Sequence, residues 1–221
     1  MEINQILDKI YCLKKDSKEK LLAYIYEEKY TKNHILFKAD KIEKKLYFLK
    51  KGVVRAFSEL PDNEITFWFG KEGDPILSMR NYIENQISYE TIELLENCEL
   101  FVIEISQLKK LFLSDIEIAN WGRKLAEKEL IKTEQRLISR QVRTATQRYQ
   151  EFIKEYPDLI QRIPLGYIAS YIGISQVSLS RIRAKIKLYF LTFVKYIYNT
   201  NSKLCKKVKY ELDIINYCGF I

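Results

Sequence analysis

The chain has 221 residues, of which 47% are hydrophobic and 30% charged, an ordinary globular composition that argues against a disordered or fibrous protein. At roughly 150 residues per domain, this length predicts one or two domains. The uncharged apolar stretches are far shorter than the roughly 18 residues that span a bilayer, and the amino terminus lacks a secretion signal pattern. The four cysteines form no C-x-x-C pair, so we expect a soluble cytoplasmic protein without disulfides or a zinc site.

The charge is distributed unevenly along the chain. Its 37 basic and 29 acidic residues give a net charge of +8. From Arg136 onward there are 15 Lys and Arg against 5 Asp and Glu, a net of +10, which leaves 22 against 24, a net of −2, for residues 1–135. A basic rear behind a near-neutral front indicates a polyanionic partner, either nucleic acid or an anionic membrane face, with a solvated charged surface as the alternative.

The front of the chain predicts an antiparallel β domain. Asp16 and Glu19 form a helix-start signal ahead of apolar residues at helical spacing, so we expect short helices first. Strand-like runs then alternate with turn residues such as Gly52 and Pro61, and we see no helix between them. The predicted strands are 35–37, 46–49, 53–57, 65–69, 91–95 and 100–105. Several short strands at regular spacing predict a barrel or jelly roll at about 30–105.

A long helix is predicted after the strands, over residues 114–140. We interpret the Ser114 to Glu117 segment as its capping box, and no proline interrupts the helix. Small and apolar residues return along one stripe of it: Ile118, Gly122, Leu125, Ala126, Leu130 and Leu137. A helix of roughly 27 residues is about 40 Å long. This length is greater than packing against one small barrel requires. The stripe therefore predicts a two-helix dimer interface, with packing on its own domain as the alternative.

The basic rear predicts two helices joined by a tight turn. Thr144 can cap a first helix that ends near Pro157, and residues 165–182 then read as helix, turn, helix. Gly173 stands where the turn needs a left-handed residue, and Ser175 can cap the second helix. We assign DNA contacts to the outward row of that helix, with Arg143 on phosphate, and the alternative is a purely structural hairpin. The DNA-contacting candidates are Ser175, Gln176, Val177, Ser178, Ser180, Arg181, Lys185 and Arg143.

These segments resemble the Crp/Fnr family of transcription regulators, and the resemblance covers about residues 3–187. It is carried by residues 46–55 around Gly52, by 139–149, and above all by 167–175 and 179–182. The overall sequence character looks like the Bacteroidetes-type branch of the family. The resemblance implies an α+β fold: an antiparallel jelly roll like a cyclic-nucleotide-binding domain, a long dimerisation helix, and a winged-helix-like helix-turn-helix domain. We predict domain boundaries at 1–113, 114–140 and 141–221, with recognition helix 175–187 in the major groove.

Two departures limit what the resemblance implies about ligands. Members that bind cyclic AMP hold its phosphate with Gly-Glu-Leu and a later Arg-Ser-Ala, whereas residues 73–78 here read GDPILS and 87–91 read ISYET. A buried phosphate needs a guanidinium fork, so we do not expect cyclic AMP to bind. The lone Cys12 does not match the cysteine cluster of oxygen-sensing members. In the recognition helix, the family's glutamate falls at Val177 and its arginine at Arg181, so we expect a different target sequence.

The segment after residue 187 departs from the family's wing. Asn199 to Asn201 can close a hairpin between 190–198 and 203–215, and a helix fits nearly as well. The lysines at 203, 206, 207 and 209 are candidates for phosphate contacts, with a solvated tail as the equal alternative.

The remaining function classes fit the sequence less well. A cupin enzyme needs two or three histidines, and His34 is the only one, so we expect no catalytic residues, no metal and no cofactor. A membrane-surface protein would put its arginines on one amphipathic face, so we expect no membrane partner. We predict a homodimeric regulator that binds a palindromic DNA operator, with RNA polymerase as a partner and with the jelly roll either sensing an unknown small-molecule effector or serving as a scaffold. The alternative is a cyclic-AMP-responsive regulator.

Overall fold

The computed structural model describes the backbone of residues 1–200 and the side chains of residues 1–189 and 192. The chain divides into two compact units, of which the first is Met1–Leu137 and the second begins at Ile138. Within the described residues, no helix is both long enough and apolar enough to cross a membrane.

The first unit contains eight short strands with helices before, between and after them. Its elements are α1 (Ile3–Ile10), α2 (Lys15–Leu22), β1 (Tyr26–Tyr30), β2 (Ile35–Phe37), β3 (Lys45–Lys51), β4 (Val54–Glu59), β5 (Glu64–Gly70), β6 (Pro75–Ile76), α3 (Met79–Glu84), β7 (Thr91–Leu94), β8 (Cys98–Glu104), α4 (Ile105–Ser114) and α5 (Ile116–Val142). Helix α5 extends beyond this unit into the second.

The strands form two antiparallel four-stranded sheets, ordered β1-β8-β3-β6 and β2-β7-β4-β5. Alternate side chains of both sheets meet in one core, to which Leu49, Val54, Ile92 and Val102 belong. Period-two alternation explains this arrangement, because each strand sends every second side chain to the same face. The predicted jelly roll is confirmed.

Helices cover the outer face of the first sheet. Phe48 and Phe101 point away from the core between the sheets and pack with residues of α1, α2, α4 and α5. Trp121 of α5 is the largest fully buried side chain; it contacts the Phe48 ring edge-on, and its Nε1 donates to the carbonyl of Leu7 at 3.1 Å. The first half of α5 is therefore part of this unit's core.

Several local predictions need correction. The sequence patterns missed β1, β6, α3 and α4, and Ile105, predicted to end a strand, begins α4. Ser114 does not cap the long helix: it ends α4, and Asp115 caps α5 by accepting from the amides of Glu117 and Ile118 at 3.0 and 3.3 Å. Helix α2 begins at Lys15, so Asp16 lies in its first turn instead of capping it.

The second unit is helical where it is described. After the end of α5 come α6 (Ala145–Glu155), a short 3-10 helix (Pro157–Leu159), α7 (Leu165–Ile172) and α8 (Gln176–Thr200). Thr144 and Gln147 form the predicted capping box of α6. Because α8 runs on to Thr200, the hairpin alternative is wrong for 190–198, and the recognition helix does not end at 187. The predicted second strand and its lysines lie outside the described residues.

Candidate nucleic-acid interface and ligand-binding segment

The turn between α7 and α8 has the geometry that the sequence predicts. Gly173 ends α7 with φ 79° and ψ 42°, a left-handed conformation that costs a residue with a side chain about 1–2 kcal/mol. Ser175 directly precedes α8, and its Oγ accepts from the amide of Ser178 at 3.2 Å. The glycine therefore ends one helix and the serine caps the next within three residues.

All four carbonyls that the end of α7 leaves free find donors. The amides of Gly173 and Ile174 donate to Ala169, and that of Gly173 also donates to Ser170. Two arginine side chains supply the rest: NH2 of Arg140 donates to the carbonyl of Tyr171 at 3.2 Å, and Nε of Arg148 to that of Ile172 at 2.9 Å. Cations at a helix carboxyl end are also favoured by the helix dipole.

Arg140 and Arg148 make structural contacts that the sequence patterns did not reveal. By sequence they add only to the positive charge of the rear half, whereas the structure uses both to hold α7. The available signal was their position: Arg140 lies in the last turn of α5 and Arg148 in the first turns of α6, at the junction with the helix pair.

Apolar side chains of α7 and α8 pack between the two helices. Ile168, Ile172 and Leu179 are buried, and Ile174 and Ile182 are half-buried. The small residue Ala169 is buried on the facing side of α7. This packing fixes which face of α8 is left for a partner.

The predicted outward row of α8 is exposed to solvent. Gln176, Ser180, Arg181 and Lys185 are exposed, and Val177 keeps 61% of its surface. Ser178 is half-buried, with its hydroxyl against that of Ser175. Within the described part of the chain, neither Arg181 nor Lys185 forms a salt bridge, and no acidic residue occurs in the sequence between Asp158 and Glu211. The row presents uncompensated positive charge.

Arg143 differs from the cations of that row. Its Nε lies 3.0 Å from a carboxylate oxygen of Glu151, and both side chains are about half exposed. An exposed ion pair of this kind contributes little to stability, so Glu151 can release Arg143 to a stronger anion at small cost.

The structure corrects the predicted dimer interface. Ile118 and Leu125 are 0% and 3% exposed in the core of the first unit, and Gly122 is buried. A Cβ on Gly122 would lie 2.4 Å from the ring of Phe112, so this glycine serves the contact between α4 and α5. These three positions are closed to a second chain because their own domain covers them.

The second half of α5 has exposed apolar side chains instead. Ala126 is half-buried, whereas Leu130 and Leu137, seven residues apart, are 69% and 56% exposed. Ile131 and Ile138, also seven apart, are 53% and 51% exposed, and Val142, one helical turn after Ile138, is 69% exposed. The exposed apolar stripe of α5 thus starts near Leu130.

The segment where the resemblance predicts a phosphate site has other contacts. The Oγ of Ser78 caps α3 by accepting from Asn81, and the Oγ of Ser88 binds the backbone of Glu90. Burial and the Glu90 carboxylate raise the pKa of Tyr89. Among the described residues of this segment, only Arg80 carries a guanidinium, and it is exposed.

Comparison with protein families finds a match inside the first unit. Residues 27–115 match the family model of the cyclic nucleotide-binding domain. This part of the chain is therefore similar to cyclic nucleotide-binding domains. No curated protein matches the sequence at a significant level.

Solved structures extend the similarity to the fold of most of the chain. FixK2 from Bradyrhizobium japonicum is 19% identical over 75% of this chain and 85% of its own, with a TM-score of 0.66. A protein of Eubacterium rectale described as a transcriptional regulator of the crp/fnr family is 17% identical over 81% and 86%, with a TM-score of 0.65. CooA from Carboxydothermus hydrogenoformans, as a double mutant, is 19% identical over 76% and 79%, with a TM-score of 0.60. The segment that is similar to a cyclic nucleotide-binding domain therefore belongs to a chain with the fold of Crp/Fnr regulators.

Proposed function

We propose that the chain is a sequence-specific DNA-binding transcription regulator. The observation that carries the proposal is the exposed, uncompensated cationic row on α8, which follows a capped tight turn. A helix of this kind fits the major groove of B-DNA, where arginine can read guanine and lysine can neutralise phosphate. The fold shared with Crp/Fnr regulators supports the same function.

The proposal includes a homodimer that binds a palindromic operator. The exposed apolar positions from Leu130 onward repeat at intervals of seven, the spacing that two helices need to pack along their length. A two-fold dimer would present two copies of α8 to half-sites one helical turn apart, about 34–36 Å. Such a regulator would act in the cytoplasm, with RNA polymerase as a partner.

Arg140 and Arg148 suggest how the dimer helix could influence DNA binding. Arg140 belongs to α5, and its bond to Tyr171 joins the end of that helix directly to α7. A change in the end of α5 would therefore move the turn that positions α8. We propose that this bond carries the state of the first unit to the recognition helix.

Selection from randomised DNA duplexes tests the function. The full chain should enrich an inverted repeat with half-site centres about 10 base pairs apart. Binding should fall steeply with salt, because each phosphate contact releases roughly one counterion. Replacing Arg181 and Lys185 by alanine should abolish enrichment, whereas Lys110→Ala, an exposed lysine on α4, should not. Equal binding to every duplex, together with flotation on anionic vesicles, would contradict the proposal and favour a membrane-surface protein.

A further inference from the structure

The connection between β6 and β7 is unusual in how many polar side chains it buries. Ser78, Asn81, Ser88 and Glu90 are only 2%, 4%, 4% and 5% exposed. The first three are satisfied within the chain: Ser78 accepts from the amide of Asn81, the Oδ1 of Asn81 accepts from the amide of Glu43 at 3.2 Å, and Ser88 binds the backbone of Glu90.

The side chain of Glu90 is not satisfied in this way. Its Oε2 is buried without a hydrogen-bond partner among the described residues. The nearby Arg80 directs its Nε and NH2 to Gln86 at 3.1 and 2.8 Å, and the buried Arg55 binds Glu64 and Glu93. No cation of the described chain is thus committed to Glu90.

A buried carboxylate without a partner is costly. Removing such a group from water is strongly unfavourable unless a cation or hydrogen-bond donors replace its hydration. Groups that carry this cost without a structural benefit are typical of binding sites, because a ligand supplies the missing partner.

The place of Glu90 in the chain relates it to the core between the sheets. It directly precedes β7, in which Ile92 and Leu94 point into the core between the sheets. The alternation of β7, continued back to Glu90, would place its side chain on the same side as those two residues, at the end of that core beside the β6–β7 connection.

We propose that Glu90 binds the ammonium or guanidinium group of a small organic cation within the cyclic nucleotide-binding domain. The cation would neutralise the carboxylate and donate to Oε2. A cyclic nucleotide would instead place a phosphate charge near an uncompensated negative charge, which is unfavourable. The role of this ligand as the effector of a regulator rests on the proposed function, whereas its binding to the domain does not.

Calorimetric titration of the full chain tests the proposal, with agmatine, putrescine and cyclic AMP as probes. We expect saturable binding of at least one of the two amines and none of cyclic AMP. Glu90→Gln should weaken amine binding at least tenfold, because the neutral amide keeps the shape and loses the charge. Glu59→Gln, an exposed glutamate at the end of β4, should leave it unchanged. No binding of either amine at about 10 mM, or saturable binding of cyclic AMP, would overturn the proposal.

Thermal melting without ligand gives a second measurement. A buried glutamate whose partner is a ligand destabilises the ligand-free protein. Glu90→Gln and Glu90→Leu should therefore both raise the melting midpoint. A lower midpoint for both variants would show that the carboxylate is structural and would overturn the proposal. These measurements involve no DNA, so they fail or succeed independently of the proposed regulator.

Discussion

The Nε of Arg148 in α6 donates a 2.9 Å hydrogen bond to the carbonyl of Ile172, the last residue of α7. NH1 of the same guanidinium binds the carbonyl of Arg143 at 2.6 Å, before α6 begins. One side chain therefore ties the entrance of α6 to the exit of α7, at the turn that aims α8.

Arg148→Met should loosen this turn. Losing a charged donor to a partly buried carbonyl costs about 1.5–3 kcal/mol, and we expect amide hydrogen exchange in 165–172 to accelerate correspondingly. Lys154→Met, an exposed change on the same helix, should leave exchange in 165–172 unchanged. Equal protection in both variants would show that Arg148 does not hold α7.

Asp115 makes stability sensitive to acid. It caps α5 and accepts from the hydroxyl of Ser17 at 3.0 Å and from Lys20 at 3.1 Å. Burial acts to raise the pKa of this carboxyl, but the bonds from Lys20, Ser17 and the Ile118 amide outweigh burial and lower it. Because the folded pKa is depressed, the stabilisation is complete above the ordinary aspartate pKa and is lost as pH falls through the lowered value.

Asp115→Asn tests this dependence. The variant should unfold at lower urea concentration than the native chain at pH 7, by about 1 kcal/mol, because asparagine still caps α5 but loses the negative charge that Lys20 and the helix dipole stabilise. The gap between the two chains should close as pH falls below the ordinary aspartate range. A gap that stays constant from pH 7 to pH 3 would mean that ionisation of Asp115 does not contribute.

Gly122→Ala tests whether this glycine serves the contact with α4 or a dimer. The new Cβ would lie 2.4 and 2.6 Å from two ring atoms of Phe112, and such overpacking costs about 1–3 kcal/mol. Phe112→Leu removes the ring, so the double variant should regain most of the melting temperature lost by Gly122→Ala alone. If Gly122→Ala dissociated the dimer without changing the melting temperature, Gly122 would belong to the dimer interface.

The sequence predicted those parts of the structure that depend on local chemistry. The turn between α7 and α8 was predictable because Gly173 and Ser175 meet a requirement of their own positions. Helix α4 was missed because Ile105 continues the apolar run of β8, so no polar residue marks the change from strand to helix.

Residue spacing could not predict contacts between residues that are distant in the sequence. An apolar stripe shows that a helix face needs cover, but not which chain supplies it, so Leu125 and Leu130 looked equivalent. The bond from Trp121 to Leu7 joins positions 114 residues apart and explains why the first half of α5 is covered by its own domain. The burial of Glu90 was likewise invisible, since a glutamate before a strand is ordinarily solvated.

Replacing Leu130 and Leu137 together by glutamate should convert the dimer into monomers. Both side chains are exposed, so the change should leave the melting temperature of the first unit nearly intact while sedimentation shows a monomer with weakened operator binding. Leu113→Glu, at a 91% exposed leucine of α4, is the matched control and should stay dimeric. Leu125→Glu should instead unfold the domain, because it buries a charge in the core. A double variant that remains dimeric would rule out this stripe.

Arg181 and Arg143 should differ in what they contribute to DNA binding. Arg181 is exposed on the outward row of α8, where its guanidinium can reach guanine O6 and N7. Arg181→Ala should therefore cost about 1–3 kcal/mol on the selected operator and relax the preference at one base pair per half-site.

Arg143→Ala should act on specific and scrambled duplexes equally. Its guanidinium is held beside Glu151, off the row of α8, and can exchange that carboxylate for a phosphate. The variant should reduce the slope of log K against log salt by about one counterion for each phosphate that the arginine no longer neutralises, without changing base preference. Salt titrations of both variants on both duplexes make the comparison. If Arg143→Ala changed base preference while Arg181→Ala weakened both duplexes alike, α8 would not be the helix that reads the bases, and the end of α5 would have to lie in the groove instead.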